Sequence, residues 1–210
     1  MAERTLVVDK PRRAAGLLFV LAHGAGGHLE DPLLVDVAAT LKKRGFGVAR
    51  FNFEYKDLGK KVPDKAPKLE ATYREVLARV KRAAPRARLV IGGKSMGGRM
   101  ATHLAAQGEV VLGLVLLGYP LHPPSKPEKL RAAHLGDIRV PSLFVQGTRD
   151  PLCDLKLLRK ALKPMRSNAT LHVVDGGDHS LVVPKSSGRT RAEVIEEIGG
   201  AIEALAGELG

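Results

Sequence analysis

The sequence predicts an α/β fold, a three-layer α/β/α sandwich on a doubly wound, mostly parallel sheet of six or seven strands. Two observations carry that expectation. Short apolar runs alternate with amphipathic stretches from one end of the chain to the other. The runs are also continuous rather than alternating, as expected when helices cover both faces of a sheet. No internal repeat and no linker-like stretch divides the 210 residues, so 1–210 reads as one α/β domain.

The elements follow in order. Residues 6–8 suit an edge strand, and 16–22, 47–53, 88–92, 110–117, 140–146 and 170–174 read as short buried strands. Helical periodicity falls on 32–44, 67–84, 97–107, 154–163 and 190–208. Asp31-Pro32 places a capping side chain before a proline suited to a first helical turn, and Gly45 supplies the matching stop. The longest irregular stretches are 54–66 and 118–139. Pro120, Pro123, Pro124 and Pro127 preclude a long helix through the first half of the second. In an open α/β sheet, ligands bind beyond the carboxyl ends of the strands. Chemistry is therefore expected after Ala22, Phe53, Gly92, Leu117, Gln146 and Val174.

Composition narrows the function classes. No apolar run approaches the roughly 18 residues of a bilayer span, and residues 1–10 lack the apolar stretch of a secretory leader. A cytoplasmic protein with no membrane span is the expectation. Lys and Arg total 34 against 22 Asp and Glu, a net charge of +12. Such a balance can signal nucleic acid. However, Lys156, Arg159, Lys160 and Lys163 fall on one face of a helix whose other face carries Leu155, Leu158 and Leu162, the pattern of a solvated surface. The few aromatics do not interleave with the basic clusters as stacking platforms would. No nucleic-acid partner is expected. The single cysteine, Cys153, excludes an internal disulfide and reads as a small buried hydrophobe. The seven His show no metal-ligand spacing, so neither metal nor cofactor is expected.

Gly93-Lys94-Ser95-Met96-Gly97 is G-x-S-x-G between a predicted strand and a predicted helix, the setting of a nucleophile elbow. That turn is sharp, so the positions two before and two after the serine must lack bulk, and both are glycine. The serine would then lie at a helix N-terminus, whose dipole favours developing negative charge. Two nucleotide decoys fail. Gly93-Lys94-Ser95 ends like a phosphate-binding loop, but Arg88 occupies its first glycine position. Gly24-Ala25-Gly26 starts like a dinucleotide fingerprint, but Leu29 stands at its third glycine.

A serine nucleophile needs a base, and the base needs an orienting acid. Asp150 lies just past the strand ending at Gln146, and His179 lies on the glycine loop after the strand ending at Val174. The order Ser95, Asp150, His179 is that of α/β-hydrolases. Asp154, Asp175 and Asp178 remain alternative acids. The turn His23-Gly24-Ala25-Gly26-Gly27 could offer the N–H of Ala25 or Gly26 to an oxyanion, with the N–H of Met96 as second donor. Tyr119 and His122 lie in the proline-rich loop, where they could line the pocket together with Gly26. Arg50 and Asn52 are placed to structure the following loop. Lys94 and Arg99 flank the elbow and would favour an anionic substrate, the alternative being a solvated pair.

LLFVLAHGAGG, VARFNFEY, GGKSMGGR, GYPLHPP, SLFVQGTRDP and VVDGGDHSL together resemble the α/β-hydrolase superfamily. They are most similar to a small dienelactone-hydrolase-like branch. That branch includes animal testis-expressed hydrolase-like proteins and a subunit of a nonspecific-lethal histone acetyltransferase complex. The resemblance runs from about Leu17 to Leu181. It implies Ser95 as nucleophile, His179 as base and Asp150 as acid, and strands around 50–55 and 119–124 contributing loops to the pocket. Dienelactone hydrolases proper use Cys as nucleophile, so their lactone substrate does not carry over. The resulting expectation is a serine hydrolase of ester or thioester bonds with minimal or no lid, acting on a small-molecule or carrier-bound acyl substrate. The alternative is a hydrolase-like fold serving as a protein-binding module.

Overall fold

The structure, a computed structural model, describes residues 5–9 and 16–209. Residues 1–4 and 10–15, with part of the stretch read for a leader, lie outside the described residues, as does residue 210.

Seven strands form one sheet: β1 (Leu6–Asp9), β2 (Leu17–Ala22), β3 (Gly47–Phe51), β4 (Arg88–Lys94), β5 (Gly113–Leu117), β6 (Ser142–Gly147) and β7 (Ala169–Val174). Their order is β1-β3-β2-β4-β5-β6-β7. All neighbours are parallel except β1, which pairs antiparallel with β3. Among the described residues six α-helices accompany them: α1 (Pro32–Lys43), α2 (Glu54–Asp57), α3 (Ala66–Ala83), α4 (Met96–Ala106), α5 (Leu155–Leu162) and α6 (Arg191–Glu208).

The alternation of side chains along each strand divides the core in two. Leu18, Val20 and Ala22 of β2 pack with α3, α4 and α5, whereas Leu17, Phe19 and Leu21 pack with α1 and α6. Both faces of β2 are thus covered, which is why its sequence shows no period-two pattern. The expected helix signals are in place. Asp31 Oδ1 accepts from the Leu33 N–H at the start of α1. At its end Gly45 takes a φ of +88° while the Gly45 and Phe46 N–H groups bond to the Lys42 and Leu41 carbonyls. The basic residues Lys156, Arg159, Lys160 and Lys163 are exposed while Leu158 and Leu162 are buried.

Several expected boundaries shift. β3 stops at Phe51 because the Phe53 N–H leaves the ladder for the His23 ring. β5 starts at Gly113, after an exposed Val110. β7 is an edge strand with only Val174 fully buried, not the buried strand expected. α2 is a single turn, too short to leave a periodic signal. Segment 118–139 is irregular apart from a 3₁₀ turn at Leu135–Asp137. Among the described residues no helix is long and apolar enough to cross a membrane.

Candidate active site

β4 runs straight into α4 through Ser95, the N-cap residue of the helix, with φ 50° and ψ −117°. A non-glycine residue held there costs roughly 1–3 kcal/mol, so its surroundings must enforce it. They do so by close approach. A Cβ at Gly93 would lie 2.1 Å from the Ala22 carbonyl oxygen, and one at Gly97 would lie 2.4 Å from the same atom. Only glycine at both positions lets the turn press against the end of β2. From the next strand, the Leu117 carbonyl accepts the Ser95 N–H at 2.9 Å.

The structure brings the three residues singled out beyond the strand ends into one hydrogen-bonded line. Ser95 Oγ lies 2.8 Å from His179 Nε2, and His179 Nδ1 lies 2.7 Å from Asp150 Oδ2. An ionised carboxylate only accepts, so Nδ1 carries the imidazole proton and Nε2 is left to accept from the serine hydroxyl. The Asp150 side chain is fully buried, and that of His179 is 23% exposed. Asp150 is held from three further directions: its Oδ1 accepts the Leu152 N–H, its Oδ2 accepts the Gln146 amide, and its own N–H bonds to Gly147. The alternative acids are engaged elsewhere. Asp154 caps α5, Asp178 accepts the Ser180 and Val182 N–H groups within the His179 loop, and Asp175 accepts from the Thr148 hydroxyl.

Opposite the serine lies the turn after β2. A Cβ at Gly24 would sit 3.4 Å from Ser95 Cβ, so this turn lies against the serine. His23 sets its orientation. The fully buried ring accepts the Phe53 N–H at Nε2 (3.1 Å), which puts the proton on Nδ1, the atom that donates to the Gly24 carbonyl at 2.7 Å. Burial lowers the His23 pKa to about 4, so the ring is neutral at pH 7. A trans peptide is planar, and fixing the Gly24 C=O fixes the Ala25 N–H to point the other way. The Tyr55 hydroxyl fixes the next peptide by donating to the Ala25 carbonyl at 2.7 Å. The Met96 N–H, in the first turn of α4, is one of the donors a helix leaves without an intrahelical partner. Gly26 is exposed on the same turn, and a Cβ there would meet nothing within 4 Å.

The remaining sequence expectations are placed unevenly. Tyr119 is a core residue, 1% exposed, whose hydroxyl donates to the Arg131 carbonyl. It underlies the site, and its phenol is not part of an open wall. His122 does line an open cavity of about 480 Å³ with Asp150, Thr148, Cys153 and Lys156, but Ser95 and His179 are not among its walls. His122 is also structural, since its Nε2 accepts the Asp154 N–H. Asn52 ties the loops together, accepting from Leu29 and donating to Asp57. Lys94 is not a free cation. It forms a 2.8 Å ion pair with Asp31, both side chains nearly buried, pinning the start of α1 to the elbow. Cys153 is buried, its thiol pushed up to about 12 by burial, so it is held as the thiol. Among the described residues, no three His, Cys, Asp or Glu side chains converge as metal ligands.

Sequence reasoning missed Tyr73 and the role of Gln146. The Tyr73 hydroxyl, carried by α3, lies 2.7 Å from both the Val20 and Gly92 carbonyls and accepts the Gly92 N–H beneath the elbow. Gln146 accepts the Tyr119 N–H with its oxygen, which turns its NH₂ towards Asp150. A polar residue closing an otherwise apolar strand was the available signal for Gln146.

Solved structures of similar shape cover nearly the whole chain. An α/β serine hydrolase homologue from Coxiella burnetii superposes with a TM-score of 0.76 at 18% identity, covering 98% of each chain. A dienelactone hydrolase from Anabaena variabilis gives 0.73 at 18%, covering 96% of this chain and 97% of its own. An α/β serine hydrolase from Xanthomonas campestris, described as having no lid, gives 0.74 at 17%, covering 97% and 95%. At such identities the likeness is one of fold. The family model of the alpha/beta hydrolase domain matches residues 15–206. The chain, with its seven-stranded sheet and its serine at the turn from β4 into α4, belongs to the α/β-hydrolase domain family.

Proposed function

We propose that this protein is a serine hydrolase that cleaves an ester or thioester through an acyl-enzyme, with residues 1–210 acting as one catalytic domain. The observation that carries the reading is the line Ser95 Oγ–His179 Nε2 and His179 Nδ1–Asp150 Oδ2, at 2.8 and 2.7 Å, set on a serine with positive φ at a helix N-terminus. Family membership and the serine-hydrolase fold neighbours support hydrolysis as the class of reaction.

In this mechanism Ser95 Oγ attacks the carbonyl carbon while its proton passes to His179 Nε2. Asp150 holds the imidazole in the Nδ1–H tautomer and stabilises the imidazolium. The tetrahedral oxyanion is received by the N–H groups of Ala25 and Met96, a donor of this kind being worth roughly 2.7–4 kcal/mol. His179 then protonates the departing alcohol or thiol. Water attacks the acyl-Ser95 carbonyl with His179 as base, and collapse returns the proton to Ser95 Oγ. His23 serves as a positioning residue, because its Nδ1–H bond to Gly24 aims the Ala25 N–H. With no multi-helix cap among the described residues, the site suits small esters or an acyl group presented on a carrier.

Labelling with a fluorophosphonate tests the nucleophile without knowledge of the substrate. Rapid labelling of the wild type, lost in Ser95→Ala and His179→Ala, is expected. A folded wild type that resists the probe would overturn the reading and favour a hydrolase-like fold kept as a protein-binding module.

A further inference from the structure

α4 carries a polar stripe that the proposed chemistry leaves unused. Ser95, Arg99 and His103 recur at four-residue spacing and share one face of the helix. His103 is accounted for by its 2.8 Å bond to Glu70, whose second oxygen accepts from Gln107. Arg99 is not. Its Nε is buried without a hydrogen-bond partner. Among the described residues no carboxylate pairs with it, and the one acid that acts on it electrostatically, Glu70, is held by His103 and Gln107.

The group that most influences Arg99, after its own burial, is a second guanidinium. Burial and then Arg131 lower the Arg99 pKa, and the Tyr119 hydroxyl lies in the field of both arginines. Arg131 is set there by its backbone: its N–H bonds to Leu121 at 2.7 Å and its carbonyl accepts the Tyr119 hydroxyl at 2.7 Å. Like Arg99 it has no ion-pair partner among the described residues. Two half-buried cations close enough to act on each other repel when no anion accompanies them, and the pair becomes favourable when an oxyanion lies between them. The contrast with Lys94, on the other side of the serine, is direct, since that cation is neutralised by Asp31.

Helix geometry puts Arg99 one turn from the serine. Four residues advance about 6 Å along the axis, and side chains on a helix lean back towards its N-terminus. The Arg99 side chain therefore starts about one turn from Ser95, on the same face of the helix. We infer that Arg99 and Arg131 bind a carboxylate carried by the substrate a few bonds from the scissile carbonyl. This rests on the serine-hydrolase reading and names its substrate class, esters or thioesters bearing a free carboxylate. The anion can sit on the acyl group, as in the monoester of a short dicarboxylic acid, or on the leaving group.

Three aryl esters separate these cases: p-nitrophenyl glutarate with its free carboxylate, 4-(butyryloxy)benzoate, and neutral p-nitrophenyl butyrate. The readout is the ratio of kcat/KM for each anionic ester to that of the neutral one, after correction for uncatalysed hydrolysis. In the wild type at low salt the ratio is expected to reach about tenfold or more for one anionic ester, identifying the side that carries the charge. It should shrink as salt is raised, collapse towards one in Arg99→Gln and Arg131→Gln, and survive in part in Arg99→Lys. A wild-type ratio near or below one for both anionic esters overturns the inference, as does a ratio that both glutamine variants retain. The wild-type preference and its salt dependence need no variant to fold. If the fluorophosphonate labels Ser95 while both ratios are flat, the anion site alone fails. If it does not label, the hydrolase reading fails. Calorimetry of free glutarate and of 4-hydroxybenzoate with Ser95→Ala, against the same protein carrying Arg99→Gln, then decides the site: binding of either acid that Arg99→Gln abolishes upholds it, and binding of neither overturns it.

Discussion

Acidification from pH 7 to pH 5 is expected to cost this fold about 2 kcal/mol through His23 alone, and about 3 kcal/mol by pH 4. The unfolded imidazole titrates near 6.5, whereas the buried ring in the folded protein titrates at about 4. Between those values the unfolded chain takes up a proton that the folded chain refuses. Stability is thus fully present above pH 6.5 and falls as pH drops towards 4. Burial is the main cause, opposed by the bond to the Gly24 carbonyl; nearby Lys56 and His28 add to the lowering while Asp31 opposes it. The ring has no room for a second proton, because Nε2 already accepts the Phe53 N–H. Urea denaturation at pH 7, 6, 5 and 4 on wild type and His23→Gln measures the effect. The variant loses the ring's edge-to-face contacts with Phe53 and Tyr55 and is less stable at pH 7 by about 1–3 kcal/mol. Glutamine does not titrate, so the gap between the proteins should close by about 2 kcal/mol at pH 5. His134, whose pKa is likewise lowered to about 4 by burial, is present in both proteins and cancels in the difference. A gap that stays constant down to pH 4 would show that His23 is not held neutral, and would remove the argument that its Nδ1–H aims the Ala25 peptide.

Other substitutions read other parts of the frame. Gly97→Ala places a Cβ 2.4 Å from the Ala22 carbonyl, so a loss of about 1–3 kcal/mol or more in thermal or urea melts is expected, with fluorophosphonate labelling lost as the elbow opens. Lys94→Met leaves the Asp31 carboxylate buried and unpaired, a loss of about 3–5 kcal/mol. Adding Asp31→Asn should restore part of it, because asparagine still caps α1, and a double variant no more stable than Lys94→Met would refute the pair's role. Asp150→Asn is expected to slow labelling at neutral pH by about 10³–10⁴-fold, since the amide can present N–H to Nδ1 and impose the wrong tautomer, and to lower the melt, because the same NH₂ then faces the buried Gln146 NH₂. A rate within tenfold of wild type would contradict that assignment of the proton.

The parts of this molecule that were legible in the sequence are those whose causes lie within a few residues. The elbow needs Gly93 and Gly97 because the chain must turn sharply at Ser95, and five consecutive letters record that need. The capping of α1 by Asp31 and the stop at Gly45 are likewise local. The order of Ser95, Asp150 and His179 was legible because each follows a strand, and parallel strands bring their ends together. What escaped reading is polar contact between distant segments. Tyr73 reaches the β2–β4 seam from α3 across 53 residues to Val20, and nothing in its own helical pattern separates it from the apolar residues beside it. β7 escaped for a different reason, since a sheet edge depends on where the strand lies in the sheet order rather than on its composition.

The two cations beside the elbow show the same division most sharply. Lys94 and Arg99 stand one residue before and four residues after Ser95, and by sequence they are equivalent candidates for an anionic substrate. The difference lies entirely in what the fold brings to each. Asp31, 63 residues away, arrives at Lys94 as the N-cap of α1 and neutralises it. To Arg99 the fold brings another arginine, and it gives the neighbouring Glu70 to His103 and Gln107 instead. A net charge of +12 therefore says little about the site until each cation is asked which carboxylate it meets. On the reading proposed above, the charge that bears on substrate is the one left over beside Ser95, and its worth depends on a ligand supplying the oxyanion that the chain does not.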